Sequence, residues 1–285
     1  MAGDCILIEL EHPDCILIDC GYKTTYNTEL RPLLLRLSAE GYRISLMIIS
    51  HIDRDHIEGA VHFLRENGDA EIPAIIPVDE IWINGFFNTL FPRLEFKHRE
   101  IDELSLEERK MLSDKLKSLK MSFPDEGYIS ATQCKALERL CVQNGYRVNC
   151  SCPDRIVKRS AMRYSEVATN RISIAGCQIA ILNPGEPQLE ALSRELDREM
   201  IRWFGRDYKI QQSDEFTQLF ELLMELYEEP TSSEPIMAKS ANLKSWLGTS
   251  LLAPMNAVNR SSIVVEIIYH GRNMLFTGDG ESSDW

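Results

Sequence analysis

The order of apolar segments along this chain predicts an α/β fold, with strands and helices alternating in the first seventy residues. Three observations carry the prediction. Two short apolar runs, 4–9 and 15–20, flank a turn at Glu11-His12-Pro13-Asp14. Leu30, Leu33, Leu34 and Leu37 then recur at helical spacing up to Gly41. A third run, Ile44-Ser45-Leu46-Met47-Ile48-Ile49, is apolar enough for a strand buried on both faces.

Taken in order, residues 4–20 read as two strands joined by a turn, 28–40 as a helix, and 44–50 as a buried strand. Residues 57–66 read as a second helix ending at Asn67-Gly68. Strand, helix, strand and helix in this order suggest a layered α/β sandwich. The middle differs. Residues 86–170 are rich in charge and helical periodicity, clearest over 104–119 and 132–141, and read as a helical insertion. Strand-like runs resume at 171–175 and 178–183. Helices are expected over 187–204 and 214–228, then a linker from Glu228 to Pro235, and strands at 261–269 and 273–277.

Composition bounds the function. With 285 residues the chain can bury a sizeable core in one or two domains, and 44% hydrophobic with 26% charged residues is ordinary for a globular protein. It shows neither a membrane-spanning apolar run nor a signal peptide. Eight dispersed cysteines, several inside strand-like runs, suit a reducing cytoplasm. A net charge of −13 argues against a general polyanion-binding surface. It does not exclude nucleic acid at a metal site, where cations supply local positive charge.

Chemistry concentrates where the third run ends, at Ser50-His51-Ile52-Asp53-Arg54-Asp55-His56. Carboxylate and neutral imidazole suit zinc, manganese or iron. His51 and Asp53 are expected to face one ion, Asp55 and His56 a second, with the two roughly 3.5–4 Å apart. The competing reading is a polar loop in which Asp53 and Asp55 merely cap the following helix. Elsewhere, Cys134, Cys141, Cys150 and Cys152 lack the paired spacing of a structural zinc site. His12, His62, His98 and His270 read as solvated or core residues. Arg155, Arg159 and Arg163 would share one face of a helix and contact a phosphate backbone, a solvated basic face being the alternative.

The H-x-D-x-D-H pattern of residues 51–56 resembles the signature of the metallo-β-lactamase superfamily, and Asp53 at its third position resembles the branch typified by the ComEC DNA-uptake proteins. The opening runs, ending in Ile18-Asp19-Cys20-Gly21, look like that branch's first hairpin. Asn259-Arg260-Ser261-Ser262-Ile263, followed by Thr277-Gly278-Asp279, looks like its N-x-x-S and TGD strands. The resemblance implies an αββα sandwich over 1–285 with the insertion at about 86–170. It implies two divalent ions, zinc favoured and manganese the alternative, held by His51, Asp53, Asp55, His56 and Asp279. Asp279 would bridge the ions and Asp55 would orient the attacking water. The segment 179–185, with Pro184, holds no histidine where many members carry a third ligand, which fits the ComEC-like branch.

The family continues past TGD with a further helix, strand and His-bearing loop. The expectation is therefore that the C-terminal part of the fold is missing here, and that a downstream segment or second polypeptide completes the metal site. The implied function is a metal-dependent hydrolase, a nuclease cleaving DNA in preference to RNA, in DNA processing or anti-phage defence. A regulatory or binding module with a partial metal site, and a small-molecule lactone or thioester hydrolase, are the alternatives.

Overall fold

The computed structural model describes residues 3–89, 129–204 and 256–283, together with 105, 107, 110 and 111. The chain divides into two compact units. The first comprises Met1–Glu95, Phe123–Met200 and Ala257–Trp285. The second, Phe96–Ser122 and Ile201–Asn256, lies almost wholly outside the described residues. Apart from 105, 107, 110 and 111, the helix expected at 104–119 falls outside them as well, as do the helix expected at 214–228, the linker at 228–235 and His98.

The first unit is α/β and holds two four-stranded sheets. Strands β1 (Ile6–Glu9) and β2 (Asp14–Ile18) pair antiparallel; β3 (Arg43–Ile48) and β4 (Ile81–Trp82) extend the sheet in parallel. Parallel neighbours require crossovers. The first runs through α1 (Lys23–Thr25), a π-helical turn (Tyr26–Leu30) and α2 (Arg31–Ala39). The second runs through α3 (Arg54–Asn67). Glu66 on α3 fastens the two crossovers, accepting from Tyr26 Oη at 2.6 Å and Arg31 Nε at 2.7 Å.

The region expected as an insertion contributes α4 (Phe86–Thr89), α5 (Ile129–Gln143) and α6 (Tyr164–Val167). Helix α5 packs against α3, and the segment after it bridges Ile81 through Val148, so residues 129–170 are built into this unit. The second sheet is an antiparallel run of β5 (Ile172–Ile174), β6 (Cys177–Asn183), β7 (Val264–Tyr269) and β8 (Arg272–Phe276). Helix α7 (Glu186–Phe204) follows β6, and α8 (Ala257–Arg260) precedes β7.

Alternation decides which residues meet between the sheets. Ile16, Ile18, Leu46, Ile48 and Trp82 from the first pack with Cys177, Ile179, Ile181, Val265 and Ile267 from the second. The intervening Cys15, Leu17 and Met47 are also fully buried, so β2 and β3 are covered on both faces, as parallel strands require. The two sheets and their helices are those of an αββα-type sandwich.

One polar group in this scaffold yields a pH prediction. Glu266 on β7 accepts bonds from Tyr164 Oη at 2.9 Å, Arg171 Nη2 at 2.6 Å and Asn273 Nδ2 at 3.1 Å. Burial raises its pKa, but the bonds from Arg171, Tyr164 and Asn273 outweigh burial and hold it below the usual carboxylate range. A depressed folded pKa gives stability that is present above the unfolded value of about 4.3 and lost as pH falls through the folded value. Glu266→Gln is therefore expected to cost about 1–3 kcal/mol at neutral pH. That difference should shrink on acidification, measured by urea unfolding across pH; a pH-independent difference would contradict the ionic contribution.

Candidate metal centre

Parallel strands bring their carboxyl ends to one edge, where loops can hold function on a rigid base. Asp19 leaves the end of β2 and Ser50-His51 the end of β3. Asp19 adopts φ 55°, and its amide donates to Ile48 O at 2.8 Å, which turns the chain out of the sheet. Helix α3 begins at Arg54, three residues before the expected start, so Asp55 and His56 lie in its first turn rather than on a loop. Asp53 takes the N-cap position with extended backbone, yet its side chain makes no capping bond. Its carbonyl instead accepts from the His56 and Ile57 amides at 3.0 and 3.1 Å. Asp279 follows β8, and Gly278 permits its approach: a Cβ on Gly278 would lie 3.0 Å from both Cβ and Oγ of Ser50.

These elements gather His51, His56 and Asp279 so that one ligand atom from each lies within 4.8 Å of the others. His51 Nε2 is 3.7 Å from Asp53 Oδ2 and 3.8 Å from Asp279 Oδ2. His56 Nε2 is 3.9 Å from Asp55 Oδ2 and 3.7 Å from Asp279 Oδ1. The two rings are 4.0 Å apart between centroids. These nitrogen–oxygen separations exceed hydrogen-bond length. They are close to the roughly 3.3–3.6 Å that separates two ligands on one tetrahedral ion at about 2.0–2.2 Å. His51 Nε2 is buried without a hydrogen-bond partner, an arrangement that costs free energy unless something accepts its lone pair. Buried imidazole nitrogens facing carboxylate oxygens are a donor set that fits a divalent cation.

The supporting contacts include two residues whose roles the sequence reading does not assign. Asp19 is fully buried and accepts from Ser50 N at 2.8 Å, Ser50 Oγ at 2.6 Å and His56 Nδ1 at 2.9 Å. Ser50 Oγ also lies 3.0 Å from His51 Nδ1. Their only signal in the sequence is position: an acid ending the strand before Gly21, and a hydroxyl ahead of the first histidine.

Electrostatics report crowded negative charge. Burial lowers the His51 pKa well below its ordinary value, and the neighbouring His56 lowers it further. Burial also lowers His56, but the hydrogen bond to Asp19 and the charges of Asp19, Asp55 and Asp279 outweigh it and push the ring up to about 9. Burial raises Asp279, and Asp55, Asp4 and Asp19 add to the rise against the pull of His56.

The arginines are placed differently from the sequence expectation. Residues 155–163 do not form a helix, so Arg155, Arg159 and Arg163 share no helical face. Pro153–Arg155 is a 3₁₀ turn with positive φ at Asp154 and Arg155, and Arg163 is the N-cap of α6. Arg155 and Arg163 are exposed. Arg159 lies across Gly185, where a Cβ would meet its guanidinium at 2.6 Å, and its amide donates to Pro184 O at 2.9 Å. The cysteines are free thiols, and no cysteine joins a metal-holding cluster among the described residues.

Two stacked sheets with paired imidazoles and carboxylates at their strand ends define an α/β protein with a candidate metal centre. Residues 1–119 match the family model of the metallo-beta-lactamase superfamily. The match spans the first sheet and the segment carrying His51 to His56; Asp279 lies beyond it. No curated protein and no solved structure matches the chain. No helix among the described residues is long and apolar enough to cross a membrane.

Proposed function

We propose that this chain is a metal-dependent hydrolase of the metallo-β-lactamase type that cleaves nucleic-acid phosphodiesters, DNA in preference to RNA. The observation that carries the metal assignment is the placement of Asp279. Its two oxygens face two different imidazoles, Oδ2 towards His51 and Oδ1 towards His56, while Asp53 and Asp55 stand beside the same two rings. His51 with Asp53 would hold one ion, His56 with Asp55 the other, and Asp279 would span both. Two divalent cations there, zinc or manganese, would supply Lewis acidity and a water acidified towards neutral pH.

The chain's own groups divide the remaining work. Asp55 is 43% exposed on the first turn of α3 and would orient the attacking water. Neutralisation of the carboxylates by two cations would let a polyanion approach a chain of net charge −13. Arg159 would contact the phosphate backbone, with Arg155 and Arg163 adding diffuse attraction. This reading agrees with the ComEC-like features of the sequence and suits a role in DNA processing or defence.

The test is cleavage of single- and double-stranded DNA by zinc- or manganese-loaded protein, with and without a chelator. Cleavage should stop on chelation, and activity surviving it would refute the mechanism. Reversing Arg155, Arg159 and Arg163 to glutamate should weaken DNA binding. It should also flatten the slope of log affinity against log salt by about 0.9 for each duplex phosphate that is no longer neutralised. An unchanged slope would return these residues to solvent-facing charges.

A further inference from the structure

Ser50 stands where four parts of the unit meet. Its amide and hydroxyl both bind the Asp19 carboxylate, at 2.8 and 2.6 Å. Its carbonyl accepts from the Ile263 amide at 2.7 Å, tying the end of β3 to the entry of β7. Gly278 packs on its side chain, and its Oγ lies 3.0 Å from His51 Nδ1 and 3.4 Å from His56 Nδ1. The residue is 2% exposed, so water does not compete for these bonds.

A hydroxyl has one proton and two acceptor lone pairs. The 2.6 Å separation from Asp19 Oδ2 is that of a charge-assisted O–H···O⁻ bond, so the proton points to Asp19. With Asp19 ionised against the His56 ring, sending it to His51 instead would leave two bare oxygens facing each other at 2.6 Å. With its proton committed, Ser50 Oγ can only accept from His51. That places the ring hydrogen of His51 on Nδ1 and leaves Nε2 as a lone pair aimed at Asp53 and Asp279. Asp19 accepts directly from His56 Nδ1 at 2.9 Å, which fixes the orientation of that ring.

We infer that Ser50 is a positioning residue whose hydroxyl, oriented by Asp19, fixes the ring tautomer of His51 and presents its Nε2 to a cation. The inference rests on the metal reading for the last step only; the tautomer assignment stands on the hydrogen bonds alone. It also explains why Gly278 packs here. A larger residue would press on the Ser50 side chain and turn the hydroxyl away from its two partners.

The test compares the full chain with Ser50→Ala, which removes the hydroxyl, and Ser50→Cys, which nearly keeps the volume but bonds weakly. Ring tautomers are read from imidazole nitrogen shifts in the metal-free protein, and zinc and manganese affinities from calorimetry. The unsubstituted protein should show His51 in the single Nδ1–H form. Both variants should lose that single form and bind metal about 10–100-fold more weakly, as for removal of a partner behind a histidine ligand. An unchanged His51 tautomer, or unchanged affinity in both variants, would overturn the inference. If the unsubstituted protein takes up neither cation, the metal reading fails on its own account, and the tautomers still decide the role of Ser50.

Discussion

Replacing Asp279 with asparagine is expected to abolish metal-dependent hydrolysis while leaving the metal-free protein folded and slightly more resistant to heat. The two halves of this result have one cause. Asp279 places one carboxylate oxygen towards each imidazole, so its loss removes a ligand from each proposed ion. A bound cation stabilises developing charge by several kcal/mol. About 4 kcal/mol corresponds to about a thousandfold in rate.

The stability effect follows from the sign of the pKa shift. Burial and three neighbouring acids raise Asp279 above its ordinary value. A group with a raised folded pKa contributes stability below its unfolded value and loses it as pH rises through the folded one. At neutral pH the ionised side chain therefore weighs against the folded state, and asparagine relieves this at nearly constant volume. The side chain is 41% exposed, which permits the change without a buried unpaired amide. Elemental analysis counts the ions, and thermal melting in chelator compares the folds. Retention of two ions per chain by the variant would remove Asp279 from the proposed site.

The parts of this site that are legible in the sequence are those packed closely along it. His51, Asp53, Asp55 and His56 fall within six residues, and their chemistry is unusual at a strand end. Asp279 is more than two hundred residues away and enters the reading only through the TGD resemblance. Asp19 and Ser50 are harder still. An acid closing an apolar strand is commonplace, and its bonds to Ser50 and His56 cross 31 and 37 residues.

Helix α3 starts earlier than its apolar spacing suggests, because Asp53 supplies an N-cap backbone that periodicity does not register. The arginine segment shows the reverse error. Spacing at 155, 159 and 163 mimics a helical face, but backbone groups there bond outside any helical pattern. Asn149 Nδ2 donates to Arg155 O at 3.0 Å, and the Arg159 amide goes to Pro184 O. Neither partner is visible from apolar spacing.

The second large effect is expected from a methyl group. On helix propensity alone, Gly59→Ala in the middle of α3 should stabilise the protein by about 1 kcal/mol. Sterics decide otherwise. An added Cβ would lie 2.1 Å from Cys20 O, 2.8 Å from Cys20 C and 2.9 Å from Gly21 O, all backbone atoms that no rotamer change can move. The close approach is used: the Gly59 amide donates to Gly21 O at 2.8 Å, and the Cys20 amide donates to His56 O at 3.1 Å.

Helix α3 must therefore retreat from the turn after β2, and the cost should reach about 3 kcal/mol or more, the upper end of overpacking effects. The retreat also reaches the site, because His56 rides on the first turn of α3 while its partner Asp19 stays with β2. Displacements of about 1 Å between such groups lower catalysis by about a hundredfold. Gly59→Ala should thus lose both stability and metal binding, where Asp279→Asn loses metal binding alone. Urea unfolding and metal titration of the two variants side by side separate a scaffold residue from a ligand. A Gly59→Ala protein as stable as the parent would show that α3 does not need this contact to hold His56 in place.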